Sequence, residues 1–186
     1  MDVKNFIIAV FSGVVGTIAM TIVMYIYSKI VHQNTKVVHV LGTMLTGGQD
    51  SQIDDKKIFW AGCVGHTGVG VLFSFAYFLL WNWGIFRINF EDSVWVGILS
   101  GLVAIVIWRT YFNLHRSPPA VSLNHYSIAL FLAHIVFGIV TVNLFFIIVK
   151  NPNLWYELQD STKLSFIQYK AIPQYAWVKF IFWSIV

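Results

Sequence analysis

The chain has 186 residues and a formal net charge of +4; 58% of it is hydrophobic and only 11% charged. A soluble domain runs nearer about 45–50% apolar and about 25% charged, and a chain this short cannot hide so much apolar side chain from water. The composition therefore excludes a cytosolic enzyme, a nucleic-acid reader and a disordered tail, and points to an integral membrane protein with the lipid bilayer as its first partner.

The first apolar run covers 6–30 and is broken only by hydroxyl residues and glycines until Lys29. No A-x-A-like cleavage pattern accompanies it, so it reads as a retained helix. The 37–48 stretch (VVHVLGTMLTGG) is apolar but too short to span, and is expected at the interface or dipping back between helices. Further runs cover 58–83, 94–114 and 126–149, each meeting the roughly 20 residues a helix needs to cross a bilayer core. Trp60, Trp81, Trp83 and Trp95 sit at run ends, where tryptophan favours the head-group level, and Pro118, Pro119 and Pro152 mark stops. The tail, 151–186, closes with AWVKFIFWSIV, too short to cross and expected as an interfacial anchor.

With four spans, the N-terminus, the 84–93 loop and the tail share one side; the 31–57 and 115–125 loops share the other. Basic residues near the membrane are only weakly biased between the two, so orientation stays open. The second and fourth runs share a pattern, His66-x-x-x-Gly70 and His134-x-x-x-Gly138, with each histidine at the same offset from the start of its run. The first and third share G-x-x-A, at Gly16/Ala19 and Gly101/Ala104. The expected fold is all-α and polytopic: a 1–150 domain of four transmembrane helices built as two repeated helical hairpins, plus the short C-terminal segment. Small residues at four-residue spacing, such as Ser12/Gly16, Ala61/Gly65 and Gly97/Gly101, are expected to let the helices approach closely.

Several short motifs occur in order: Gly13-x-x-Gly16-Thr-x-Ala-Met20, Leu41-Gly-Thr-Met44, Trp60 with His66-x-x-x-Gly70-x-x-Phe73, His115 with Pro118, and His134-x-x-x-Gly138. The series resembles a group of small bacterial four-helix inner-membrane proteins classed only as a domain of unknown function. That resemblance covers roughly residues 10–148. It implies a four-helix architecture in a bacterial inner membrane and brings no activity with it.

All six histidines fall on the side of the 31–57 loop or in its half of the bilayer. Polar residues at the depth of His66 and His134 are expensive, which makes them functional candidates. Facing one another in the bundle interior, they would suit a haem iron or a smaller metal ion. The plain alternative is two core histidines bonded to hydroxyls or backbone carbonyls. Arg109, the one charged residue well inside a span, is a candidate to hold an anion such as a haem propionate, a quinone oxygen or a lipid phosphate; the alternative is snorkelling to the head groups. Cys63, three residues before His66, would either join a metal site or simply pack.

No Asp or Glu lies inside a span, and no G-x-S-x-G, H-E-x-x-H or Walker pattern occurs. The functions left are a helical subunit or scaffold packing with partner membrane proteins or a second copy, a redox or metal-binding protein using His66 and His134, and a small channel or carrier lined by Thr17, Thr21, Thr67, Ser100 and the histidines.

Overall fold

The structure is a computed structural model in which residues 3–47, 54–116, 118–151 and 153 are described. Five helices follow one another: α1 (Val3–Val31), α2 (Val37–Thr46), α3 (Asp55–Asn82), α4 (Phe90–Leu114) and α5 (Leu123–Lys150). No strand occurs among the described residues. Four of the helices, α1, α3, α4 and α5, are long and apolar enough to cross a membrane. Residues 1–146 form one compact unit. The interfacial anchor expected at 176–186 falls outside the described residues.

Each long helix begins three or four residues before the apolar run that announced it. For α3 and α4 the extra first turn follows a polar cap that an apolar run does not display. Asp54 opens α3 by accepting the Lys56 N–H at 3.1 Å. Asn89 opens α4 by accepting the Asp92 N–H at 2.7 Å. Such caps satisfy amides that the first turn leaves open.

The turn from α1 to α2 is held by hydroxyls. Ser28 Oγ donates to the Gln33 carbonyl at 2.6 Å, and the fully buried Thr35 donates through Oγ1 to the Met24 carbonyl at 2.8 Å. Within the 37–48 stretch, Val37–Thr46 forms α2, which stops where Gly47 turns left-handed at φ 68°. Its buried face lies on α3 and touches α1. The crossing is backbone on backbone: a Cβ at Gly42 would meet the Ile58 carbonyl, and one at Gly62 would meet the Val38 carbonyl.

Small residues also set the seams between long helices. Along α1 and α3 the antiparallel register runs Thr21 beside His66, Thr17 over Gly70, and Gly13 against Ser74, whose Oγ donates to the Ala9 carbonyl at 2.6 Å. Along α4 and α5, a Cβ at Gly138 would sit 2.6 Å from the Ser93 carbonyl oxygen and 2.8 Å from Gly97 Cα. Gly16 brings α1 against Phe137 and Thr141 of α5. These contacts use the small-residue spacing legible in the sequence, where close approach and dispersion drive packing. The outside is apolar too: Ile18, Ile22, Ile26 and Ile30 form an exposed ridge along α1, a surface that water does not favour and lipid does.

Candidate functional site

All five helices border one cavity of about 280 Å³. Met20 of α1 and Leu41 of α2 close one part of the wall. From α3 come His66, Val69 and Phe73. Trp108 and Tyr111 of α4 and His134 and Phe137 of α5 complete it. No charged side chain is among the lining residues. The histidines are buried, at 7% and 3% exposed. The rim differs: Val69 is 46% exposed and Ile107, which also lines the cavity, 55%. The cavity therefore reaches the apolar exterior between α3 and α4.

His66 and His134 each stand eleven residues into their helices, α3 and α5, or about 16 Å along the axis. Their hydrogen bonds fix their tautomers. Thr21 Oγ1 donates to the Thr17 carbonyl at 2.8 Å, so its single proton is spent. It then accepts from His66 Nε2–H at 3.1 Å. That leaves Nδ1 of His66 as the lone-pair nitrogen. His134 runs the other way: Nδ1–H donates to the Leu130 carbonyl at 2.8 Å, leaving Nε2 with the lone pair. The ring of His134 is wedged edge-on against Phe73, with centroids 5.6 Å apart, and lies 6.3 Å from the ring of Phe137. The plain alternative, histidines bonded to a hydroxyl and a carbonyl, is thus present, but it uses one nitrogen of each ring. Chemically, two neutral imidazoles with a bare nitrogen apiece accept hydrogen bonds or bind a metal.

Arg109 is not brought to them. It lies one residue beyond Trp108, roughly 100° further round the helix, and is exposed. Its guanidinium donates to Asn124 Oδ1 at 3.2 Å and to Ser127 Oγ at 3.4 Å, tying α4 to the start of α5. These two polar anchors hold the guanidinium, and Arg109 is not among the residues that line the cavity. Cys63 is half-buried and packs against the core without lining the cavity. Among the described residues no group of three His, Cys, Asp or Glu side chains is placed to hold a metal ion. The hydroxyls expected to line a pore are spent elsewhere. Thr17 donates to the Gly13 carbonyl at 2.7 Å, Thr21 to Thr17, and Ser100 to the Gly97 carbonyl at 3.0 Å. Thr17, Thr21 and Thr67 do not line the cavity, and Ser100 lines only a second, smaller one between α3 and α4.

The remaining histidines stay outside it. His115 Nε2 lies 3.0 Å from the Met44 carbonyl, and His125 Nδ1 lies 3.2 Å from Tyr27 Oη. His32 and His39 are exposed. Sequence reasoning missed Trp108, Tyr111 and Phe73 as wall residues. Trp108 and Tyr111 share the helical spacing of Ala104 and Ile107, but every apolar helix offers such a stripe, so no signal singled them out.

No protein-family model, curated protein or solved structure matches this chain.

Proposed function

We propose that the chain is a multi-pass membrane protein that takes a small apolar molecule bearing a hydrogen-bond donor into the cavity among its five helices. His66 and His134 accept from that donor. The observation that carries this reading is the pair of buried imidazoles in one apolar cavity, each held by its own helix or its neighbour in a tautomer that leaves one nitrogen bare. An imidazole nitrogen that meets only apolar walls gains from a hydroxyl or N–H delivered from the bilayer. The lateral rim at Val69 and Ile107 supplies the way in.

A haem fits less well. The cavity of about 280 Å³ lies at the floor of the roughly 300–1,000 Å³ that drug-sized ligands occupy, and a porphyrin is larger than most of those. A lone metal ion would have two protein ligands and need the rest from elsewhere. A channel lacks its polar lining. The scaffold reading draws on the apolar ridge of α1, which suits a partner helix or a second copy as well as lipid. Repeated hairpins remain part of the proposal. They are supported by the equal offsets of His66 and His134, and by the glycine one turn on in each case, packed against a preceding long helix. The likeness to small bacterial inner-membrane proteins suggests the membrane and adds no chemistry.

Equilibrium dialysis of the full chain in detergent against dimethylhydroquinone, and against the same ring with both hydroxyls methylated, tests the reading. The hydroquinone is expected to bind and its ether is not, with His66→Phe and His134→Phe each weakening the first. Equal retention of both probes would contradict it.

A further inference from the structure

A second cavity, of about 170 Å³, lies further along the same pair of helices. Phe73 belongs to both cavities. From there the lining steps along α3 through Ala76, Tyr77 and Leu80, and back along antiparallel α4 through Val103, Leu99 and Val96. The first cavity uses the preceding turns of α3, from His66, and the following turns of α4, to Tyr111. The two cavities are therefore successive stretches of one seam. From His66 to Leu80 that seam is roughly 21 Å long at the helical rise.

This seam differs from its neighbours. The α2–α3 and α4–α5 crossings are sealed by glycines that put backbone on backbone, and Gly70 and Gly13 seal α1–α3. Between α3 and α4, large side chains meet around Tyr77, whose Oη donates to Ser100 Oγ at 2.7 Å. Gly68 of α3 faces open space, with nothing within 4 Å of an added Cβ. Leu99 and Val103 are about half exposed, at 48% and 51%, so the second cavity too opens onto the apolar exterior. Neither lining contains a charged residue.

We infer that the two cavities form a single elongated site for an amphiphile: a hydroxyl-bearing ring at His66 and His134, and one alkyl or prenyl chain running past Phe73 into the α3–α4 slot. This rests on the donor-binding reading above and adds its ligand class, a long-chain hydroquinone or phenol. A chain is the occupant that matches the slot. The slot is uncharged, shares the Phe73 wall with the histidine cavity, and opens sideways at Leu99 and Val103, as a flexible apolar tail requires.

Photolabelling of the full chain in lipid nanodiscs tests this. The probe is a decylhydroquinone with a diazirine near the chain end, competed with unlabelled decylhydroquinone and mapped by mass spectrometry. Competable labelling is expected at 76–80 and 96–103. Ala76→Phe, which fills the slot without touching the histidine cavity, should abolish that labelling while chainless dimethylhydroquinone still binds. Leu99→Trp makes the same test from the facing helix if the first variant does not fold. Competable labelling that spares the slot would overturn the chain assignment and leave the donor site standing. So would labelling equal to that on the exposed ridge of α1 at Ile18 and Ile22. Absence of any competable labelling, together with no binding of the chainless probe, would overturn both.

Discussion

Two threonines show how position decides what a buried hydroxyl is worth. Thr21 passes its proton to the Thr17 carbonyl and accepts the His66 Nε2–H, so it fixes a ring. Thr141 is fully buried, and its Oγ1 has no hydrogen-bond partner among the described residues. Thr21→Val keeps the shape and strands the imidazole N–H. It should cost about 0.5–2 kcal/mol, the range for an interhelical hydrogen bond in a membrane protein. Thr141→Val removes an unpaired polar atom and should be neutral or stabilising by about 1–2 kcal/mol. Unfolding titrations of both variants in mixed micelles check the pair. A neutral Thr21→Val would undo the assigned tautomer of His66.

At the scale of the element, glycine on α3 separates packing from propensity. Gly62 touches the backbone of α2, whereas Gly68 faces open space. Gly62→Ala pushes a methyl into the Val38 carbonyl and should destabilise by about 1–3 kcal/mol as α2 is lifted. Gly68→Ala meets nothing and should stabilise the helix by up to about 1 kcal/mol. Thermal unfolding of both variants, followed by far-UV circular dichroism, is the comparison; the same sign for both would contradict the α2–α3 crossing. The four long helices were legible because lipid-length apolar runs have few other solutions. Their first turns were not, because Asp54, Asp55, Lys56 and Lys57 look like loop until Asp54 is seen capping α3. The helical state of 37–46 was hidden by its shortness; it is fixed by the fit of Gly42 and Gly62, a contact between segments that no single run displays. His66 and His134 stood out because a buried imidazole in an apolar run is unusual. Arg109 stood out for the same reason, yet one residue of helical rotation carries it away from the cavity that Trp108 lines.

For the whole molecule, four crossings require the starts of α3 and α5 to share one side and the α3–α4 turn to lie on the other. Single cysteines placed at Lys57, Asn89 and Asn124 of a Cys63→Ser background report this through a membrane-impermeant maleimide in oriented vesicles. Lys57 and Asn124 should label together and Asn89 from the opposite face; labelling of all three from one face would reject the crossings.

Within that frame, the decisive issue is whether two bare imidazole nitrogens await a donor. Solid-state nitrogen NMR of the histidine-labelled full chain in lipid, recorded with and without dimethylhydroquinone, addresses it directly. Before the probe is added, His66 should be protonated at Nε2 and His134 at Nδ1, and each should show one unprotonated nitrogen. With the probe, both unprotonated resonances should shift as they accept hydrogen bonds, while those of His32, His39, His115 and His125 stay in place. Unmoved signals from His66 and His134, or shifts confined to the other four, would contradict the site.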